Sequence, residues 1–597
     1  DTVTDLVIPD EIDGKKVVTV DLDKTSYSKN VKSIFFGKNV NSISIYSGLD
    51  LSNVEKLEVD ENNEKYVSKN NCVLLKKLNV FGKKTLSLGC KTSIIPDGTN
   101  EGYEKIYIRE YAFWMAHIES INIPANVDEL NTTSFLPRYL KAITVDKNNT
   151  RYNDANGKNV IVNTANKSLT VTNQTGYIPD DEQICVKINN CFKNLDVETI
   201  TIPNNITSIY MYYNFNNCPN LTTIKLGTGI TDLDMCLFNE SGKGAFYNSP
   251  KLKNFDVSNN KYFKFENGIL SRYVETKDTY TADDKLSVYF YCGDSDTVTL
   301  DEKYSQINSY AFWYNEKVKS VVLPTVSSFT LKKYAFSNSY LENIDLENCT
   351  AWGQNAFQEC KNLKTVKVGP KLVFSDTTNG DSWYIFKGAV IEKLILPQDY
   401  SLNLARLDPS ISAIANCYIK SIEFYKGTAS SDNYVVIGNQ VLTANLKTLC
   451  FIIGDESNIV VNENVQYINC LKVYNKNYES IKFPENLETI SKLGSGTTGL
   501  KKLDLSNLKI IEKSAFYGTD LEEITLYEGL TTIKERAFQN SKLKSLVIPS
   551  TVTSIGNFII TDTPCEYLEL KNKSLIFSEN QFYESKVKTF KYHGTMI

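Results

Sequence analysis

A period of about 22 residues constrains this chain more than any other feature. Five segments near the C-terminus share the form apolar-x-x-apolar-x-apolar: Leu500 to Leu505, Leu521 to Leu526, Leu543 to Ile548, Cys565 to Leu570 and Val587 to Tyr592. Their starts lie 21, 22, 22 and 22 residues apart. Such spacing means one structural unit stacked on itself, each copy touching only its neighbours. Earlier copies start at Val3, Val31, Val54, Ile118, Leu140, Val197, Leu221, Leu252, Val318, Leu341, Leu363, Ile391, Ile419 and Tyr478, for nineteen in all. Stacked copies share one interior. The 597 residues are therefore expected to form a single repeat solenoid over 1–597, not the roughly four domains that length alone would suggest.

Each copy divides into two halves. The first alternates, as in Ile121-Asn-Ile123 and Ile200-Thr-Ile202, which places apolar side chains inward and the middle residue outward on a short strand. Proline often follows, at Pro124, Pro203, Pro324, Pro484 and Pro549, where its missing N–H ends the ladder. In the second half, Ile108, Ile307, Leu331, Ile511 and Ile533 are followed five residues later by Phe113, Phe312, Phe336, Phe516 and Phe538. This piece is too short for a regular helix and reads as one 3-10 or short helical turn on the outer wall. Its Phe fills the interior and stacks on the Phe of the next turn. Four long intervals between copies hold paired β-like runs, expected as β-hairpin insertions near 60–90, 146–174, 257–294 and 426–454. Three of them open with Asn-Asn and a nearby Tyr: Asn63 with Tyr66, Asn149 with Tyr152, and Asn260 with Tyr262. A repeat-like strand follows each hairpin, giving about 23 turns with one short parallel strand per turn in an α/β to mainly β fold.

The composition excludes several classes. Hydrophobic content of 42% and charged content of 23% describe a folded chain. A net charge of −5 is small for this length and gives no electrostatic reason to expect nucleic acid or an anionic membrane as partner. No run of 18 apolar residues occurs, so no membrane-spanning segment is expected, and no signal or anchor segment is evident. The thirteen cysteines are scattered and form no CxxC, which favours small buried side chains over disulfides or a zinc site. Two histidines far apart, His117 and His593, leave no Ser-His-Asp, Cys-His or multi-histidine metal arrangement. No phosphate-binding glycine loop occurs. No cofactor is expected, and the chain reads as non-enzymatic.

A binding face is easier to place than a partner. Two positions of each strand face the concave side. The first is small and polar, as at Ser320, Asn343 and Thr365; the second is mixed, as at Val322, Lys367 and Ile395. The row serves as a solvated ladder that favours pairing, or as a docking face for protein. Two aromatic clusters, Tyr111 to Trp114 and Tyr310 to Tyr314, follow hairpins. Trp114, Trp313 and Tyr314 anchor a protein or stack on a sugar, or else shield the core.

The run Leu543-Lys-Ser-Leu-Val-Ile-Pro-Ser-Thr-Val-Thr-Ser-Ile-Gly556, followed in other copies by Ala-Phe, resembles the BspA-like (Treponema pallidum type) leucine-rich repeat. The opening, Leu6-Val-Ile-Pro-Asp-Glu-Ile-Asp-Gly14 and on to Val20, resembles that family's usual first repeat. The resemblance implies a right-handed superhelix on an extracellular or cell-surface protein that adheres to host or microbial proteins or glycans. The alternatives are a rod-like spacer displaying another module and, less favoured, a glycan-active enzyme. The family has no fixed ligand motif to carry over. The Phe signature weakens to Ser134-Phe135, Asn557-Phe558 and Gln581-Phe582.

Overall fold

The computed structural model describes residues 3–21, 30–44, 51–99, 103–114, 116–189, 191–210, 215–233, 246, 248–372, 384–397, 417–425, 434–471, 478–493 and 499–593. It is a mostly-β solenoid of about 22 turns with almost no helix, in line with the expected number of turns. The chain divides into two compact units, Asp1–Thr281 with Val288–Gly293, and Ala282–Ser287 with Asp294–Ile597.

Most turns contribute two strands, not the single strand expected. The front strand is the apolar-x-apolar segment. In the first unit Thr199–Ile202, Thr223–Leu226 and Asn254–Asp256 pair in parallel, with Ile200 opposite Ile224 and Ile224 opposite Phe255. Exposed and buried residues alternate along Ser120–Ile123 and Thr199–Ile202 as the pleat requires. The back strand is shorter. In the second unit Tyr467–Ile468, Thr489–Ile490, Ile510–Ile511, Thr532–Ile533 and Ser554–Ile555 run in parallel, with Ile490, Ile511 and Ile533 all buried inward. Two or three residues are too few to show alternation in the sequence.

The Phe-bearing turn is not helical. Among the described residues the 3-10 segments are Pro137–Tyr139 and Glu579–Gln581. Two residues before the core Phe, the backbone takes a positive φ: +61° at Tyr111, +64° at Tyr310, +57° at Tyr334, +57° at Ser514 and +59° at Arg536. A left-handed residue ends any helix. The amides bond to the next turn instead: Phe312 N–H donates to Ala335 at 2.8 Å, Phe336 to Ala356 at 2.8 Å, and Phe516 to Ala537 at 2.8 Å. This alignment stacks the rings. Phe312, Phe336, Phe357 and Phe386 form a column with centroid spacings of 5.0, 5.3 and 5.2 Å. Phe516 and Phe538 stack at 5.2 Å, and Phe113 on Phe135 at 5.2 Å. Asn557-Phe558 departs from the expected register. Phe558 holds the positive-φ position at +61°, and Ile560, fully buried, takes the core place.

Each insertion gains a strand beyond the expected hairpin. Tyr66–Lys69 pairs antiparallel with Cys72–Leu75, which pairs antiparallel with Lys84–Gly89. Lys84–Gly89 then runs parallel to Ile106–Ile108, so the insertion seeds the next back sheet. Tyr152–Asn153, Ile161–Asn163 and Ser168–Val171 repeat the pattern, as do Tyr434–Ile437, Gln440–Thr443 and Thr448–Ile452. The expected fourth insertion begins at 426, and residues 426–433 lie outside the described residues.

The Asn-Asn and Tyr signature at these insertions is structural. Asn149 is buried and its amide donates to Pro124 O at 2.8 Å and Val127 O at 3.1 Å, while its Oδ1 accepts from the N–H groups of Arg151 and Tyr152. Asn63 bonds likewise to the Gly37 and Val40 carbonyls, and Asn260 to those of Gly227 and Ile230. The Tyr152 hydroxyl accepts from Leu130 N–H at 3.0 Å, and Tyr66 from Ile43 N–H at 3.3 Å. A buried carbonyl left unpaired is costly; one Asn closes two of them where the chain leaves the repeat. Surface charges also follow the period. Lys509 pairs with Glu488 at 2.6 Å, Lys534 with Glu512 at 2.7 Å and Lys588 with Glu566 at 2.6 Å, each one turn apart. Exposed pairs of this kind contribute about 0–1 kcal/mol each.

Candidate functional site

Among the described residues the broadest continuous front sheet lies in the second unit. Thr297–Thr299, Ser320–Val322, Asn343–Leu346, Leu363–Val368, Val390–Pro397 and Tyr418–Tyr425 pair in parallel in that order. The last two are eight residues long, twice the usual front strand. Register places Ser320 beside Asn343 and Asn343 beside Thr365, a small polar row. The second row carries Thr299 beside Val322, then Asp345 beside Lys367, Lys367 beside Ile395 and Ile395 beside Glu423. The sheet thus brings Val322, Lys367 and Ile395 onto one face.

Their environments differ. Val322 is 46% exposed, a β-branched side chain open to solvent. Ile395 is half-buried. Lys367 is held from three sides. Its Nζ lies 3.2 Å from Asp345, bonds to Glu347, and sits 5.3 Å over the Tyr425 ring. The Glu347 hydrogen bond, with Asp345 beside it, raises its pKa against partial desolvation. Tyr425 is fixed by its hydroxyl donating to Val368 O at 3.0 Å. Lys393 pairs with Glu423 at 3.1 Å along the same strands. The face offers two apolar side chains beside ion pairs whose geometry is set before any partner arrives, a pre-ordering that lowers the cost of binding.

Trp313 and Tyr314 lie elsewhere, at the Phe-bearing turn. The Tyr334 and Tyr310 rings stack at 5.1 Å, Tyr310 meets Trp313 at 5.2 Å, and Trp313 meets Tyr314 at 5.2 Å. Tyr314 is 41% exposed and Trp313 half-buried. Neighbouring turns thus assemble an aromatic row that sequence showed as one cluster. Trp114 is different. It is 5% exposed, with Tyr111 edge-on at 5.6 Å and the Lys193 ammonium 5.1 Å over its ring. It shields the core and has no open face for a partner.

Both histidines, and several of the described thiols, make structural contacts. His117 stacks on Tyr139 at 3.9 Å. His593 Nε2 lies 2.7 Å from Glu569, which also accepts from the Tyr567 hydroxyl at 2.6 Å and meets Lys591 at 3.2 Å. These contacts, the Tyr567 hydrogen bond first, hold the Glu569 carboxyl at about 2. Twelve cysteines among the described residues are free thiols and eleven of them are buried. Cys218 donates to Phe192 O at 3.1 Å and Cys360 to Phe336 O at 3.0 Å, each to the core Phe of the preceding turn. Thr563 does the same to Phe538 O at 2.8 Å. Burial raises Cys218 to about 11 and Cys360 to about 12, so neither is a thiolate near neutral pH. Among the described residues no three His, Cys, Asp or Glu side chains converge to hold a metal ion, and no helix is long and apolar enough to cross a membrane.

Stacked parallel strands, a shared interior and a consensus of leucine and isoleucine define a leucine-rich repeat solenoid. A family model of the BspA type leucine rich repeat region matches residues 100–181, 187–279, 285–405, 445–559 and 495–597, in six copies. The chain belongs to that family, whose fold points to interaction with other proteins. Among solved structures it is similar to the pneumococcal vaccine antigen PcpA, at 15% identity over 56% of this chain and 89% of that one, with a TM-score of 0.35. A leucine-rich repeat protein of Eubacterium ventriosum is 15% identical over 51% of this chain and 94% of that one, TM-score 0.29. A leucine rich cell surface protein of Faecalibacterium prausnitzii is 15% identical over 89% and 95%, TM-score 0.22. No curated protein matches.

Proposed function

We propose that this chain is a non-enzymatic binding protein, cell-surface or secreted, that adheres to host or microbial proteins through the front sheet of its second unit. The observation that carries this reading is the row Val322, Asp345, Lys367, Ile395, Glu423 on one rigid six-stranded face. Exposed Val322 and half-buried Ile395 supply apolar contact. The locked Lys367 and its carboxylates supply charge with fixed direction. Apolar centres flanked by oriented polar groups are the anatomy of protein docking sites. BspA-type membership supports the interaction role.

A second reading rests on the aromatic row Tyr334, Tyr310, Trp313 and Tyr314, which suits stacking on a sugar ring. One experiment separates the two. The purified chain is screened against matrix proteins, cell-surface proteins and glycans. The Val322→Glu/Ile395→Glu and Trp313→Ala/Tyr314→Ala variants are then measured on each hit. Loss of a protein hit with the first pair alone supports docking on the front sheet. Loss of a glycan hit with the second pair alone supports the outer-wall reading instead. Hits indifferent to both pairs, or no hit across the panel, refute both.

A further inference from the structure

The first insertion ends in a turn unlike those of its counterparts. Between Cys72–Leu75 and Lys84–Gly89 the chain runs Lys76-Lys-Leu-Asn-Val-Phe-Gly-Lys83. Val80 is 93% exposed, Phe81 74% and Leu78 51%. The turn is well ordered by its own bonds. Asn79 Oδ1 accepts from Phe81 N–H at 2.9 Å and Lys83 N–H at 3.0 Å, and Asn79 N–H donates to Lys83 O at 2.9 Å. Gly82 supplies the positive φ of +71° that closes it. Val80 and Phe81 are therefore held out into solvent by the turn itself.

The fold does not demand apolar residues there. The second insertion turns through Thr164-Ala-Asn-Lys167, and the fourth through Ala444-Asn-Leu-Lys447, where Leu446 packs back on the core. Only the first projects large apolar side chains from its tip among these three. Lys83 at the end of the turn is paired with Asp128 at 2.8 Å and Glu129 at 2.7 Å, but the cleft on the other side is basic. An open cleft of about 980 Å³ beneath Leu78 is lined by Lys16, Lys38, Lys65 and Lys77 against one acid, Glu64. Lys38 is paired with Asp10 at 3.2 Å. Lys16 and Lys77 have no ion pair among the described residues. Lys76 donates to a neutral carbonyl, that of Glu61, at 3.1 Å, so its charge stays uncompensated.

We propose that this tip is a wedge for an anionic lipid surface. Leu78, Val80 and Phe81 enter the boundary between headgroups and acyl chains, and the lysines beside and beneath them meet headgroup phosphates. Apolar side chains ringed by lysine are the composition that binds such an interface, each part covering what the other lacks. The net charge of −5 is a property of the whole chain and does not oppose it, because at physiological salt charges act over about 8 Å. The tip belongs to the first unit and the front sheet of the proposed function to the second, so the two proposals rest on different residues.

The test is flotation of the full chain with vesicles of phosphatidylglycerol and phosphatidylcholine, against phosphatidylcholine alone, at low and high salt. Binding to the anionic vesicles is expected, weakened by salt. Val80→Ser/Phe81→Ser should weaken it by about tenfold or more, and Lys16→Glu/Lys77→Glu should weaken it in low salt only. The melting temperature of both variants should be unchanged, since every altered side chain is exposed. Val322→Glu/Ile395→Glu should leave vesicle binding intact, which separates this result from the fate of the proposed function. No binding of the unaltered chain to anionic vesicles, or equal binding by the tip variant, overturns the proposal. So does concentration-dependent self-association that the tip variant abolishes without any vesicle binding, which would assign the tip to a second copy of this chain.

Discussion

Replacing Phe336 by alanine tests the stacked interior most sharply. The ring is fully buried and sits between Phe312 at 5.0 Å and Phe357 at 5.3 Å, nearly parallel to both at 15° and 4°. Truncation removes one of the two fully buried phenylalanines of its turn, Phe329 being the other, and leaves a cavity bounded by two rings that cannot collapse without breaking the 2.8 Å hydrogen bonds joining their turns. Large-to-small changes of this type cost about 3–5 kcal/mol. A long solenoid does not unfold in one step, so a single melting curve would blur the effect. Amide hydrogen exchange reads it locally. At about 1.4 kcal/mol per tenfold, amides of the turns holding Phe312, Phe336 and Phe357 should exchange roughly two to three and a half decades faster. Those of the turns holding Phe516 and Phe538 should be nearly unchanged. Phe336→Leu should restore much of the protection. Uniform acceleration along the chain, or none, would refute the reasoning that each turn is stabilised by its immediate neighbours.

Asn149→Ala should destabilise the first unit by about 1–3 kcal/mol, because the carbonyls of Pro124 and Val127 lose their donor; thermal unfolding checks this, and a neutral result would mean those carbonyls find other partners. Cys360→Thr should be close to neutral, since Thr563 makes the same bond to Phe538 O. The native Cys360 should resist alkylation at pH 8 until the protein unfolds, because burial raises the thiol to about 12; rapid labelling would show the turn to be open. Glu569 has an ordinary value of 4.5 and is held at about 2 in the folded chain. Its folded value is the lower one, so its stabilisation is complete above about 4.5 and is lost as pH falls towards 2. Glu569→Gln should flatten the acid limb of the unfolding temperature in that window, and parallel limbs for the two proteins would contradict the assignment.

The period, the front strand and the stacked Phe were legible because each recurs at a constant offset. The back strand was not, because a pair such as Thr532-Ile533 is too short to display alternation. The outer-wall helical turn was misread for a related reason. Nothing in Tyr-Ala-Phe or Ser-Ala-Phe announces a left-handed residue, since bulky Tyr and Arg occupy that place and are held there by bonds to the next turn. The Asn-Asn and Tyr signature was visible as a pattern, but its two carbonyl partners lie more than twenty residues upstream and appear only once the turns are stacked. Among the candidate binding residues, Val322, Lys367 and Ile395 could be assigned to one strand position from sequence because register follows from period. Trp114 was not separable from Trp313 by sequence: both follow Ala-Phe, and only the Lys193 ammonium and the surrounding core distinguish the buried one. The apolar tip at Val80 and Phe81 went unmarked, since inside a β-rich run two apolar residues look like strand until the turn around Asn79 is seen.

The register of the front sheet gives the most direct measurement. Ser320 is opposite Asn343, and Asn343 opposite Thr365, each pair one turn apart; adjacent strands lie about 4.8 Å apart and strands two turns apart about twice that. Dibromobimane fluoresces when it bridges two thiols of close spacing. The native chain should give little signal, because its described thiols are nearly all buried. A Ser320→Cys/Asn343→Cys chain should become fluorescent within one molecule, and a Ser320→Cys/Thr365→Cys chain should not. Equal labelling of the two, or labelling of the second alone, would contradict a solenoid in which each 22-residue unit adds one strand in register to the sheet.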